Sequence, residues 1–288
     1  MVKYIDKKLA KQLLPLRDDD CNKGSFLKVL NIAGSGRYSG AAFLSSIAPL
    51  RVGAGFVTLA CPKSIINRFS ANMPEITYLP LNETQELSIS LNNDISFIND
   101  YSVISIGCGL SVNQETQSFL LNLIDKLNNQ KIVIDADAIN ILASVNYNTT
   151  IKNSIFTPHP KELSRLLNVS LDEILQNREK YARITSQKFD CITVLKGKNT
   201  VISDGEDIYI NTTGNSALAK AGSGDVLTGI ISGFLSQHLS CLNAALLGVF
   251  IHGLTAEILS GELTTYSVLA SDIIDYVPFA INELLIEE

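Results

Sequence analysis

Four consecutive residues carry the clearest chemistry in this sequence: Gly222-Ser223-Gly224-Asp225, which follow a polar, glycine-dotted lead-in from Asn211 and precede the apolar positions Val226, Leu227, Ile230, Ile231, Phe234 and Leu235. The pattern predicts a loop running into a helix. A helix N-terminus offers unpaired N–H groups and partial positive charge, and glycines just before it let a phosphate approach bare backbone. A carboxylate at such an anion site needs a reason. Asp225 either removes a proton from the group that attacks the phosphate, faces the phosphate through Mg²⁺, or serves only as the helix N-cap. The phosphate-loop pattern fails here although Gly214 and Lys220 have the right spacing, because Ala219 replaces its second glycine and Ala221 its Ser or Thr.

Other candidates stand at the ends of predicted strands. Asp135 and Asp137 would share a face of an extended chain and could hold a cation or a hydroxylated substrate, or they could cap the helix that follows. His159 lies between Pro158 and Pro160, with Glu162 in the first turn of the next helix; each reads equally well as a structural turn or cap residue. Lys196 to Thr200 leaves another strand and is either a surface turn or part of a pocket.

The elements that must position these residues alternate along the chain. Strands are predicted at Phe26–Ile32, Phe56–Ala60, Val103–Ile106, Lys131–Ile134, Ile155–Thr157 and Ile192–Leu195. Helical stretches are predicted at Tyr4–Leu14, Ala41–Leu50, Gln114–Asn128, Ala138–Ala143, Lys161–Leu167, Leu171–Gln187 and around Ser271–Glu287. Thr200–Ser203 and Asp207–Ile210 flank Asp204-Gly205-Glu206 as a hairpin. Apolar strands separated by helices imply a mostly parallel sheet covered on both faces, with ligands at the strand C-terminal ends, where the glycines and polar residues gather. Gly34-Ser35-Gly36-Arg37-Tyr38-Ser39-Gly40 follows the first such strand, but its glycine spacing and the lack of an acidic residue after Ala60 argue against a dinucleotide-binding fingerprint.

Composition narrows the function further. The chain has 288 residues and a net charge of −6, with no basic cluster, which argues against nucleic acid as a partner. Its five cysteines show no metal-site spacing and suit a reducing cytoplasm, and the N-terminal stretch lacks a signal-peptide core. Val226 to Ala256 contains no charged side chain, yet polar residues from Ser236 to Ser240 divide it, so it reads as two buried helices and no membrane span. With no linker or repeat, residues 1–288 are expected to form one domain.

Taken in order, Asn22-Lys23-Gly24, Ala33-Gly34-Ser35, Tyr38-Ser39-Gly40-Ala41-Ala42, Arg51-Val52-Gly53-Ala54-Gly55, Gly107-Cys108-Gly109, Asp135-Ala136-Asp137-Ala138-Ile139-Asn140, Thr157-Pro158-His159-Pro160-Lys161-Glu162, Leu195-Lys196-Gly197 and Gly214-Asn215 through Asp225 resemble the ADP/ATP-dependent NAD(P)H-hydrate dehydratases of the ribokinase-like superfamily. The resemblance implies a three-layer α/β/α fold and a repair lyase that consumes ADP or ATP, with Mg²⁺, to phosphorylate the C6 hydroxyl of hydrated NADH or NADPH and then expel phosphate. By the same resemblance Asp225 is the base and a substrate contact, Ala41, Gly109 and His159 line the substrate side, and the Gly222 to Gly224 amides bind anion. Lys196, Gly197, Lys198, Asn199, Thr200, Gly222 and Gly224 contact the nucleotide, and Glu162 orders the metal. It also implies a cytoplasmic homo-oligomer, a tetramer, acting without the epimerase domain that many relatives carry. Asn22 departs from the His usual before Lys-Gly, and Arg37 adds a basic residue near the pocket. The alternative is a superfamily kinase of a vitamin-precursor alcohol, hydroxymethylpyrimidine or hydroxyethylthiazole in type. A nucleotide-binding sensor with a silent site is the rival from another class.

Overall fold

Alternating side chains explain the architecture of the computed structural model, which describes residues 1–68 and 70–286. In strand β2 (Val29–Ile32), Leu30 and Ile32 point to one face while Val29 and Asn31 point to the other. The pattern repeats in β5 (Val103–Ile106) and β6 (Lys131–Ile134), so each strand supplies two cores. The first core lies under helices α2 (Ser39–Arg51), α8 (Ser223–Ser236), α9 (Cys241–Leu263) and α10 (Ala270–Leu285). The second lies under α3 (Gln114–Asp125), α4 (Ala136–Ser144), α5 (Pro160–Leu167), α6 (Leu171–Gln176) and α7 (Arg178–Phe189). This is the three-layer α/β/α arrangement expected.

The remaining strands are β1 (Val2–Ile5), β3 (Val57–Pro62), β4 (Thr77–Leu81), β7 (Ser154–Phe156), β8 (Cys191–Leu195), β9 (Val201–Ser203) and β10 (Ile208–Asn211). All ten form one sheet in the order β1-β10-β9-β8-β7-β6-β5-β2-β3-β4, parallel except where β9 pairs antiparallel with β8 and β10. The hairpin read around Asp204-Gly205-Glu206 is the β9–β10 pair. Because β2 is flanked by β3 on one side and β5 on the other, the strand order reverses between β2 and β5, and a crevice forms at their C-terminal ends. Gly34 N–H donates to the Cys108 carbonyl (2.8 Å) and stitches the two loops that leave these strands.

Buried polar groups fix α2 over this point. Asn31 donates to Ser45 Oγ and Ser46 Oγ (2.8 Å each), and Ser105 Oγ donates to Asn31 Oδ1 (2.9 Å), so each member is satisfied in the interior. Helix α8 lies directly against α2. A Cβ on Gly229 would sit 2.7 Å from Ala48 Cβ, and one on Gly233 would sit 2.3 Å from Val52 Cγ2. The charge-free run from Val226 is divided at Gln237 to Ser240 between α8 and α9. Helix α9 has the length and composition of a membrane span but is largely buried inside the fold, as read from the sequence.

Three readings need correction. The helix read over Tyr4–Leu14 begins with a strand, β1, and the helix α1 (Lys7–Leu13) starts only after Asp6 caps it by accepting from Leu9 N–H (2.8 Å). Leu171–Gln187 is two helices, because Asn177 (φ −133°) interrupts the α-helical backbone. Strand β4 was not foreseen, since Pro80 and a single buried residue mask it; as an edge strand it tolerates the missing N–H. The last helix is Ala270–Leu285, and Glu287 lies outside the described residues.

Candidate active site

Gly222 adopts a left-handed conformation (φ 90°) as the N-cap residue of α8, so Ser223, Gly224 and Asp225 form the helix's first turn. Asp225 is therefore not the N-cap. Ser223 N–H turns back to the Lys220 carbonyl (3.3 Å) and Val226 N–H to the Gly222 carbonyl (3.1 Å). The N–H groups of Gly224 and Asp225 meet no protein acceptor among the described residues. Of the Gly222 to Gly224 amides only that of Ser223 is used among the described residues, and the Asp225 amide joins the unpaired set. Behind them, Ser223 Oγ meets His252 Nε2 at 3.2 Å, and burial pushes the His252 pKa down to about 4.

Asp225 shares its surroundings with Cys108 and Asp135, whose ligand-type atoms all lie within 4.8 Å of one another. Burial, then the Asp135 charge, raise the Asp225 pKa to about 6, while a hydrogen bond with Cys108 and the Lys196 charge act the other way. The Cys108 thiol is itself raised well above the ordinary thiol range by burial and the neighbouring carboxylates. Asp135 is buried and accepts from Lys196 Nζ (2.6 Å) and from Thr228 Oγ1 on α8 (2.8 Å). Burial works against the charge of Lys196, but Asp135 and Glu162 beside it win and hold its pKa up. A Cβ on Gly224 would lie 3.4 Å from Lys196 Nζ, so the glycine keeps the ammonium accessible next to the two free amides.

Asp135 and Asp137 do not act as a pair on one strand face. Strand β6 stops at Ile134, Ala136 takes φ 47°, and Asp137 is already helical. Asp135 stands at the N-cap position without making the cap bond and turns to Lys196, whereas Asp137 accepts from Ser111 N–H (2.8 Å). Gly107 makes this crossing possible at φ 131°, since a Cβ there would fall 1.8 Å from the Asp135 carbonyl oxygen.

His159 and Glu162 form a reciprocal cap on α5. Lys161 and Glu162 N–H donate to His159 Nδ1 (3.1 Å each), and Glu162 Oε2 accepts from His159 N–H (2.8 Å). Burial and the Lys196 charge lower the His159 pKa, so the ring is neutral with its proton on Nε2, which faces Glu162 Oε1 at 3.3 Å. Both ring nitrogens are engaged, and His159 offers a site its half-exposed face. Burial raises the Glu162 pKa to about 7 against the pull of Lys196, with Asp135 and Asp137 adding to the rise.

The sequence-predicted residues are linked by a chain of pairwise contacts. Gly109 abuts Ala41, with a built Cβ on Gly109 2.9 Å from Ala41 Cβ, and follows Cys108 beside Asp225. Gly222, Gly224 and Asp225 lead to Lys196, whose N–H donates to the Pro158 carbonyl (2.9 Å) beside His159, and Gly197, Lys198, Asn199 and Thr200 continue outward. A cleft of about 420 Å³ adjoins, lined by Arg37, Tyr38, Ser111, Asn113 and Asp137. Sequence reasoning did not assign the Lys196 partner to Asp135 and did not single out Thr228, which is hidden in an apolar helical run. A hydroxyl among buried apolar residues was the signal, and Ser232 and Ser236 on the same helix share it.

The donor set tests the implied metal. Cys108, Asp135 and Asp225 fit Mg²⁺ poorly: the thiol is soft and held protonated, and Asp135 is already bonded to Lys196. Glu162 fits better, as a hard oxygen donor whose pKa is raised first by burial, with the Asp135 and Asp137 charges adding to the rise.

The NAD(P)H-hydrate dehydratase family model matches residues 29–279. The chain is 35% identical to the bifunctional NAD(P)H-hydrate repair enzyme Nnr of Dictyoglomus turgidum, over 99% of this chain and 56% of that protein. It is 33% identical to the ADP-dependent (S)-NAD(P)H-hydrate dehydratase of Bacillus subtilis, over 92% of each. The chain thus spans about half the length of the bifunctional relatives and nearly all of the B. subtilis one. A crystal structure of the B. subtilis ADP/ATP-dependent NAD(P)H-hydrate dehydratase, co-crystallised with ATP/Mg²⁺, superimposes with a TM-score of 0.87 at 29% identity, covering 98% of this chain and 99% of the other. The three-layer, ribokinase-like fold implied by the resemblance is the fold found.

Proposed function

The chain belongs to the NAD(P)H-hydrate dehydratase family, and from that premise we propose that it converts hydrated NADH or NADPH back to the reduced dinucleotide while hydrolysing a nucleotide's terminal phosphate, ADP in the main reading and ATP as the second donor. The observation that carries this is Asp225, held at a pKa of about 6 beside two unpaired helix amides and within one side chain's reach of Lys196.

The chemistry follows from that arrangement. Asp225 takes the proton of the C6 hydroxyl, and the oxygen attacks the terminal phosphorus, displacing AMP when the donor is ADP. The Gly224 and Asp225 amides, with the dipole of α8 and the Lys196 ammonium, stabilise the transferred phosphoryl oxygens. The ring nitrogen's lone pair then expels phosphate from C6, and loss of a C5 proton restores the C5–C6 double bond. A phosphate leaves where hydroxide would not. Asp135 keeps Lys196 charged and aimed, and Ala41, Gly109 and the face of His159 bound the substrate side. Gly197, Lys198, Asn199, Thr200 and Gly222 complete the nucleotide side. Glu162 would hold Mg²⁺, which, when bound, neutralises phosphate charge.

The single ten-stranded sheet supports reading residues 1–288 as one domain. Five free cysteines support a cytoplasmic location, and the homotetramer rests on the family resemblance. A superfamily kinase is the weaker reading, because the family model and the relatives are dehydratases. The deciding experiment is incubation with hydrated NADH and either ADP or ATP, following the return of reduced-nicotinamide absorbance. No recovery with either nucleotide, together with phosphorylation of a thiazole or pyrimidine alcohol, would reverse the choice.

A further inference from the structure

Arg178 opens α7 immediately after the break at Asn177, and its guanidinium reaches across to the turn that leaves β8. Nη2 donates to the carbonyls of Leu195 (3.0 Å) and Lys196 (3.4 Å), and Nη1 donates to those of Lys198 (2.5 Å) and Asn199 (3.2 Å). The carbonyls not taken by the guanidinium are also satisfied: Thr200 Oγ1 donates to Gly197 (2.9 Å), and Asn211 N–H donates to Thr200 (2.9 Å). Every main-chain carbonyl from Leu195 to Thr200 therefore has a donor within the protein.

The N–H groups of Gly197, Lys198 and Asn199 meet no acceptor among the described residues, and these three residues are exposed. Gly197 (φ 139°) and Asn199 (φ 53°) hold the backbone in the unusual shape that separates the two sets. A turn whose carbonyls are engaged while three successive N–H groups are not suits an oxygen-rich anion. The planar fork of an arginine can gather several carbonyls at once, which a lysine's point charge cannot do in fixed geometry. The cost is visible in Arg178 Nε, which is buried with no partner among the described residues.

We propose that Arg178 is a positioning residue for the nucleotide: by holding the turn's carbonyls, it presents the Gly197, Lys198 and Asn199 amides to the nucleotide's oxygens. The inference rests on the nucleotide reading of Lys196 to Thr200. It is tested by titrating ADP calorimetrically into the wild type, Arg178→Lys and Arg178→Ala, with melting temperatures and with KM for each substrate. Both variants are expected to weaken ADP binding, and to raise its KM, by about tenfold or more, the worth of one charge-assisted hydrogen bond or two. The KM for the hydrate and kcat at saturating ADP stay near wild type, and guanidinium ion restores ADP binding to Arg178→Ala. Wild-type ADP affinity in Arg178→Lys, or a KM change for the hydrate in place of ADP, overturns the proposal. If Arg178→Ala does not fold, Arg178→Lys, which keeps the stem and the charge, decides alone. A wild type that binds neither ADP nor ATP removes the nucleotide reading and this inference with it, and that result is seen before any substitution is compared.

Discussion

Replacing Asp225 with Asn tests the proposed chemistry through two readouts that move in opposite directions. The amide keeps the shape of the side chain but cannot take a proton, so kcat should fall by about 10²–10⁴, the usual worth of a positioned base, while ADP binding is retained. Stability should rise. The folded protein holds this carboxyl up from 3.8 to about 6, mainly by burial, which at about 1.4 kcal/mol per pH unit amounts to at most about 3 kcal/mol. The sign follows from proton binding: a raised acid binds its proton more tightly when folded, so the penalty is absent below the unfolded pKa and complete above the folded one. Asp225→Asn should therefore melt higher than wild type near pH 8 and match it near pH 4. The wild-type rate should also fall about tenfold for each pH unit below about 6, as the base becomes protonated. Absorbance recovery across this pH range, with thermal melts at its two ends, measures all three effects. Unchanged turnover removes Asp225 from the reaction, and equal melting temperatures near pH 8 refute the argument from burial.

Lys196→Met should cost about 3–5 kcal/mol, because it leaves the Asp135 carboxylate buried without its cation; adding Asp135→Asn should recover part of that loss in urea unfolding, and an additive double variant would contradict the pairing. Gly107→Ala places a methyl group 1.8 Å from the Asp135 carbonyl oxygen at a φ of 131°, so it should destabilise by more than about 4 kcal/mol, seen as lost soluble yield or a collapsed urea midpoint. His252 has its pKa lowered to about 4 by burial, so its own contribution should fall by up to about 3 kcal/mol as pH drops from about 6.5 to about 4, opposite in sign to that of Asp225. His252→Gln should flatten that part of the melting curve, and an unchanged slope would show that the acid sensitivity lies elsewhere.

Much of the fold can be read from the sequence because the inner strands are short, largely apolar runs soon followed by glycine or a polar or charged residue, as at Ile106-Gly107, Ile134-Asp135 and Leu195-Lys196. The outer strands are harder: β1 and β4 each bury one residue, so hydropathy offers nothing to detect. Gly224-Asp225 could be found because an anion loop is local. Its supporting contacts could not, since Thr228 and Asp135 are 93 residues apart and Lys196 and Asp135 are 61 apart. Only the sheet brings them together. The role first read for Asp135 and Asp137 failed because period-two alternation holds only while the strand lasts, and the left-handed residue Ala136 ends it.

The close contact between α2 and α8 couples two walls of the site. At Gly229 and Gly233 the backbone of α8 meets Ala48, Pro49 and Val52 so closely that a Cβ at either glycine would fall within 3 Å of them. The two helices therefore cannot slide independently, and the wall carrying Ala41 travels with the one carrying Asp225. The exposed arc from Gly197 to Asn199 is held by Arg178 and Thr200 through its carbonyls, and its amides stay unpaired among the described residues. Amide hydrogen exchange should show α2 and α8 protected together as one slow unit, with that arc exchanging fast until nucleotide arrives.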